Sequence, residues 1–568
     1  MASAIPLGLL PDMIGAGVRR TLAPVRVWWR GSGFYRHRLR GQLADHLVFH
    51  PHDSRAGKLE DADALLRGRF RFHGASIDVP PGQSVFDLAP PSPEWAEALN
   101  GFAWLPPLAL AGGEAARTLA TNLIAQWIRR NARYAEPGWS PHVMGRRLIH
   151  LFCHGRLVIV NSEMMWRSKL FVSLREQSRM LEHICGEAPD GLPRLEAAAA
   201  LALSGACLGD SPRRLEIGLQ RLEEECQRQI LPDGGHVSRS PETLLNAYRC
   251  LTMVSDALLA ADTEPPLILR NARDRIAPML RFFRHGDGGL SLFHGGLESD
   301  SRMIAGLLAR DEVRGQPFHH ARHTGYQRLV AGHSILQLDC GGVPHGAFAL
   351  KAHAGFLAFE LSSGTSRMVV NCGAGGDDHG SWDAPLRATA AHSTLTLADT
   401  SAALILPPGL ARTLLGPRLS GGPVVPGSRR SETAQGWTVE ATHDAYVPQF
   451  GLVHERKITM SPLGLMVTGA DRLVPAVVKN LGPGPLSFAV RFHIHPDVRV
   501  SRLEGGGILL KLPSGEGWRF RAGGGEVGIE ESIYLGGGVV RRGEQLVIAA
   551  RFKDSPAEVA WVFEQIVS

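Results

Sequence analysis

The hydrophobic pattern of this chain changes period once, and that change limits its fold more than any other feature. From about residue 113 to 310, apolar residues recur at three- and four-residue spacings, as in EAARTLATNLIAQWIRRNARYA and SPRRLEIGLQRLEEECQRQI. That is the spacing of one helical face. Several of these segments open on Ser-Pro, a helix-start signal. From about 320 onward the apolar runs shorten. SILQLDC, FLAFELSS, RMVVNCG, LSFAVRFHIHP and EVAWVFEQI alternate with Gly, Pro, Asp and Ser, the pattern of antiparallel strands and turns. The expected class is α+β, with helical hairpins followed by an antiparallel β-sandwich. Three parts are assigned: a lead-in over 1–100, a helical domain over 101–315 and a β domain over 316–568. Periodicity leaves the helical part open between a bundle, a solenoid and a closed α/α toroid.

A chain of 568 residues is too long for one core. Its 44% hydrophobic and 20% charged content excludes a disordered chain. The net charge of +6 suits a polyanionic partner, although 61 basic residues nearly balance 55 acidic ones. The densest basic stretch, Arg26 to Arg40, reads RVWWRGSGFYRHRLR. A membrane surface, a glycan and packing onto its own domain all suit such a segment, and packing is the favoured expectation. No apolar run reaches a membrane span, and the N-terminus lacks the basic and apolar regions of a secretory signal. Seven cysteines with no CxxC pair read as buried free thiols, with no disulfide framework or zinc knuckle.

Chemistry-bearing side chains gather in two stretches. ILPDGGHVSRSP, at 230–241, joins two helices and carries His236 and Arg239. Residues 351–399 carry Lys351, His353, Asn371, Arg387 and His392, with both histidines at the edges of strand-like runs. Imidazoles that converge from separate strands serve as proton carriers or metal ligands. Two readings of His353, Asn371 and His392 stay open. One is a remnant site for zinc or calcium, in which Asn is a poor ligand. The other is a hydrogen-bonded trio that pins the strands together. Asp377, Asp378 and His379 read either as spare ligands or as a solvated turn. His493, His495 and Asp497 have a spacing that suits a metal, and equally a solvent-facing strand. The glycine run at 285–296 lacks the Gly-Lys-Ser/Thr of a phosphate loop and reads as a linker.

Taken in order, ILPDGGHVSRSP, HAGFLAFELSSG with RMVVNCG, and RATAAHSTLTLAD resemble the heparinase II/III family over roughly residues 90–568. The resemblance implies an α/α toroid-like domain followed by a β-sandwich, with a groove where they meet. It also implies β-elimination at a uronic acid. A donor neutralises the carboxylate, a base takes the adjacent proton, and the glycosidic oxygen leaves. His236, Arg239, Lys351, His353 and His392 are the catalytic candidates, with His236 as base and Arg239 on the carboxylate. Tyr248, Tyr326 and Arg387 are the substrate-binding candidates. The implied partner is an acidic polysaccharide, not nucleic acid. The implied location is the cell envelope, and the missing signal leaves the cytoplasm open.

The family pattern is incomplete here. Residues 189–193 read Pro-Asp-Gly-Leu-Pro where the family carries an Asn-His pair. No tyrosine closely follows the DGGH-type loop. Lys351 stands in place of a histidine, and Gly355 and Asn371 in place of aspartates. Two functions are therefore expected: a lyase with a reassigned site, or a non-catalytic acidic-glycan-binding protein on the same scaffold.

Overall fold

The computed structural model describes residues 9–41, 44–55, 57–310, 317–375, 382–424, 426–476, 485–552 and 557–566. Helices fill its first half and antiparallel strands its second, as the change of period predicts. The described residues of 1–230, with 246–273, form one compact unit. Those of 231–245 and from 274 onward form the other, so the glycine loop around His236 belongs with the sheets. The expected ligands Asp377, Asp378 and His379 lie outside the described residues.

The helical unit is organised by Leu192–Leu208, in which every residue from Ala197 to Leu208 is buried. A helix hydrophobic all round is a core helix. It packs against Pro141–His154 and Pro212–Gln229. Its alanines allow close approach, and two glycines make that approach closer still. A Cβ on Gly218 would lie 2.4 Å from the Ala202 nitrogen, and one on Gly205 would lie 2.5 Å from Leu215 Cα.

The other unit holds two large antiparallel sheets. The nine-stranded one runs in the order Glu526–Tyr534, Arg541–Phe552, Leu486–Ile494, Ser366–Val370, Phe359–Ser363, Ser334–Asp339, Tyr326–Ala331 and His320–Ala321, with Leu395–Leu397 also paired to Leu486–Ile494. The eight-stranded one runs Gly427–Thr433, Gly436–His443, Leu452–Met460, Met466–Pro475, Ala557–Ile566, Gly517–Gly523, Ile508–Lys511 and Arg499–Arg502. They share one core, in which Phe359 and Phe492 meet Ile458, Trp561 and Phe563. Phe359 and Trp561 stack with centroids 5.4 Å apart.

Alternation along Leu452–Met460 sends Leu452, His454, Arg456, Ile458 and Met460 inward. Two of these five are polar, and they are satisfied together. Arg456 lies directly across from Asp471 in the register. Its Nε donates to Oδ1 at 2.7 Å and its Nη2 to Oδ2 at 3.1 Å. His454 Nε2 and Trp561 Nε1 also donate to Asp471, at 2.7 and 2.9 Å. Arg456 Nη1 reaches the carbonyls of Leu357 at 2.6 Å and Ser393 at 2.8 Å. Burial alone would raise the Asp471 carboxyl, but the guanidinium and His454 hold it well below the usual range.

Removing one member of such a pair leaves the other charged and buried. Asp471→Asn is expected to cost about 3–5 kcal/mol of unfolding free energy. Glu455→Gln, on the outer face of the neighbouring strand Leu452–Met460, should cost under about 1 kcal/mol. Urea denaturation of both variants checks the contrast.

Candidate functional site

The loop at 231–240 is shaped by its glycines and by Asp233. Gly234 has φ +83°, and a Cβ there would meet the Arg275 carbonyl oxygen at 1.9 Å. A Cβ on Gly235 would meet Thr324 Oγ1 at 1.8 Å. Asp233 accepts from the backbone nitrogens of His323 and Thr324, both at 2.7 Å, and from Thr324 Oγ1 at 2.7 Å. These contacts fix the chain that carries His236 and Arg239.

His236 is buried, with its ring edge-on to Phe348 at 6.0 Å. Its Nδ1 accepts from the Ser238 backbone nitrogen at 3.0 Å and lies 2.7 Å from Ser238 Oγ. In the neutral ring the proton therefore sits on Nε2, and the lone pair is spent on the loop itself. Burial pulls the imidazole down to about 3. Held this way, His236 presents an N–H donor and not a free base.

Arg239 adopts φ 62°, an uncommon conformation for a non-glycine residue. Its guanidinium is fully engaged. Nε donates to Thr324 O at 2.8 Å, and Nη1 to Gly342 O at 2.7 Å. Nη2 bonds to Asp339 and faces Gly325 O at 3.4 Å. The Tyr326 ring lies 4.8 Å from the guanidinium carbon, and its hydroxyl donates to the Arg239 carbonyl at 2.8 Å. An arginine whose nitrogens all face protein acceptors holds a loop in place and has no donor directed at a sugar carboxylate.

His294 links this arginine to the strand-edge histidines. Its Nδ1 accepts from the His353 backbone nitrogen at 3.2 Å, so its proton lies on Nε2 and goes to Asp339 Oδ2 at 3.0 Å. His294 too has a positive φ, 47°. Burial lowers the His294 imidazole. Burial would raise Asp339, but Arg239 and His294 keep it below its ordinary value. Burial would likewise lower Arg239, and Asp339 more than offsets it.

From His353 the chain of bonds continues. His392 Nδ1 lies 2.9 Å from the Ala388 carbonyl and must donate to it. His392 Nε2 is then an acceptor, and His353 Nδ1 donates to it at 3.1 Å. The lone pair of His353 is left on Nε2. Burial pulls His392 down to about 4, and burial with the neighbouring histidines takes His353 well below its ordinary value. Both rings are neutral at pH 7. The missing aspartate at Gly355 has a physical counterpart here. A Cβ at that position would lie 2.5 Å from His392 Cδ2, so the imidazole fills the space of that side chain.

The metal reading of His353, Asn371 and His392 does not fit. His392 spends its ligating lone pair on His353. Asn371 is bonded elsewhere, giving Nδ2 to Glu360 at 2.9 Å and accepting from the Ser393 nitrogen at 3.0 Å. Among the described residues no three His, Cys, Asp or Glu side chains are grouped to hold a metal ion. Arg387 is a clamp, donating to the carbonyls of Ala352 at 2.9 Å and Ala349 at 3.3 Å beside His353. Lys351 is exposed. Tyr248 is fully buried in the helical unit. His493 Nε2 donates to Ala390 O at 3.0 Å and its Nδ1 meets Ser532 Oγ at 2.8 Å, while His495 pairs with Glu298 at 3.5 Å and Asp497 at 3.6 Å.

Asp339 and His294, which join the two stretches, carry no motif of their own. Asp339 ends a strand that reads as ordinary core, and His294 sits in the glycine run taken as a linker. Arg239 itself lines a cavity of about 680 Å³, whose other basic lining residues include His320, Arg322, His323 and His345.

Comparison with known proteins places these features in context. The family model "Heparinase II/III-like, C-terminal" matches residues 313–562. FtsZ-localized protein C of Caulobacter vibrioides is 31% identical over 567 residues, spanning 98% of this chain and 97% of that protein. Among solved structures, heparinase III superposes with a TM-score of 0.69 at 16% identity, covering 98% of this chain and 92% of that one. A mutant of the heparan sulfate lyase HepC of Pedobacter heparinus superposes with a TM-score of 0.61 at 15% identity, covering 100% and 92%. At such identities these two structures speak to the fold alone.

Two outcomes follow from the site's protonation. His236, His392 and His493 are held at about 3, 4 and 3 by burial. Unfolded, they titrate near 6.5. Below that pH the unfolded chain binds protons that the folded chain refuses, so stability is full above about 6.5 and falls as pH drops. Each histidine contributes at most about 1.4 kcal/mol per pH unit of acidification. The urea midpoint should therefore fall between pH 7 and pH 5, and a flat midpoint would contradict neutral, buried rings. Zinc or calcium added to the protein should leave its melting temperature unchanged, whereas a true ligand set would raise it.

Proposed function

This chain belongs to the heparinase II/III-like family, and we propose from that premise that it keeps the polysaccharide-lyase scaffold as a non-catalytic binding and localisation protein. One observation carries the reading: the donors and bases that a lyase turns toward its substrate are spent inside this protein. Arg239 gives its guanidinium to Thr324, Gly342 and Asp339. His236 gives its lone pair to Ser238. β-Elimination needs a donor aimed at the substrate carboxylate and a base with a free lone pair. His353 Nε2 alone of these candidates keeps such a lone pair, and no neutralising donor is bonded into place beside it.

Localisation with FtsZ is supported by the relative matched along 97% of its length, which is named for its localisation to FtsZ. Identity of 31% over nearly the whole of both chains favours a shared role more than fold similarity does. A second reading, retention of an acidic glycan without cleavage, is favoured by the cavity beside Arg239. Its exposed rim of His320, Arg322 and His323 suits an anionic sugar.

Heparan sulfate and other acidic polysaccharides incubated with the protein should show no rise in unsaturated-uronate absorbance. A fluorescent fusion should co-localise with FtsZ. Sustained product formation that is lost in His353→Ala would overturn the non-catalytic reading. A diffuse fusion would overturn the localisation with FtsZ. Salt-sensitive glycan binding, lost in Arg322→Ser/His323→Ser, would support the second reading.

A further inference from the structure

We propose that the N-terminal helix Leu10–Arg30 lies flat on an anionic lipid surface. The helix presents its bulky apolar residues to solvent. Ile14, Val18, Leu22, Val25 and Trp28 are each more than half exposed. Their spacings of four, four, three and three residues place all five on one stripe. The opposite side carries the small residues Ala16 and Ala23 with Val27, none of them fully exposed. Arg30 on that side and Arg26 on the flank pair with Glu187 of the same unit. An isolated exposed leucine is ordinary, but a continuous stripe along a 21-residue helix marks an interaction face.

Charge selects the occupant. At 100° per residue, Arg19 and Arg26 border the stripe on one flank. From Leu10 to Arg40 the chain holds seven arginines and one acid, Asp12. A second copy of this chain would add the same excess of positive charge to the contact. An anionic lipid surface instead offers phosphates to the arginines and an acyl layer to the stripe. Trp28 carries the ring type that settles at the boundary between the two. No helix among the described residues is long and apolar enough to cross a membrane, so this one lies on the surface. The inference uses only the helical unit and does not depend on whether the sheet unit is catalytic.

The test is co-sedimentation of the full chain with vesicles of phosphatidylglycerol and phosphatidylethanolamine, compared with phosphatidylcholine alone. Binding to the anionic vesicles is expected, weakening as salt rises. Val18→Glu/Leu22→Glu should reduce it by at least about tenfold, because two charges would enter the buried stripe. Arg19→Ser should weaken binding to the anionic vesicles and leave the residual binding to phosphatidylcholine unchanged. All three side chains are exposed, so circular dichroism and melting temperature should match the unmodified protein. Absence of anionic-vesicle binding, or undiminished binding by Val18→Glu/Leu22→Glu, would overturn the proposal. So would a change from dimer to monomer in that variant without loss of lipid binding, which would make the stripe a self-association face.

Discussion

Arg456 and Asp471 face each other across two strands at the centre of the sandwich, and much of the sheet unit depends on that contact. Placing two charges in a core is costly, and a pair of apolar residues often serves stability as well. What an apolar pair could not supply is the third nitrogen of Arg456. It satisfies the carbonyls of Leu357 and Ser393, which flank the segments carrying His353 and His392. Leu357 has φ 56°, a strained conformation for leucine that survives only where its surroundings hold it. One guanidinium in the eight-stranded sheet thus positions backbone that belongs to the histidine cluster. The adjoining strands are shaped around it: Gly469 leaves room for the Trp561 ring, whose nitrogen completes the hydrogen bonding of Asp471.

The same logic is repeated at Arg239, with consequences for function. A catalytic site keeps some polar groups directed at empty space, where charge will develop on a substrate. Here Asp339 and His294 turn those groups inward. The guanidinium becomes a fastener, two residues with positive φ are stabilised by it, and the imidazoles stay neutral because burial outweighs their partners. On the proposed non-catalytic reading, these contacts make the scaffold a source of shape and rigidity.

Much of this architecture could be read locally. The strands were legible because side-chain direction alternates with every residue, so apolar residues in SILQLDC or LSFAVRFHIHP mark one face without any knowledge of neighbours. The helices were legible for the same reason at a longer period. His236, Arg239, His353 and His392 stood out by residue type and by their place at element edges. Their partners did not. Asp339 looks like the end of an ordinary strand, and His294 like part of a tight linker. The basic, aromatic stretch Arg26 to Arg40 was visible, but the exposed apolar stripe of Leu10–Arg30 was not, because which side packs inward depends on what surrounds it.

By its own patterning, the sequence determined that helices come first and a two-sheet sandwich follows, and it determined the family, because periodicity and ordered motifs are properties of neighbouring residues. Only the tertiary structure decided what the charged residues do. An arginine becomes a substrate donor or a structural fastener according to which acceptors lie within about 3 Å of it. Those acceptors, Asp339 for Arg239 and Asp471 for Arg456, are set by strand register and loop closure and not by spacing along the chain.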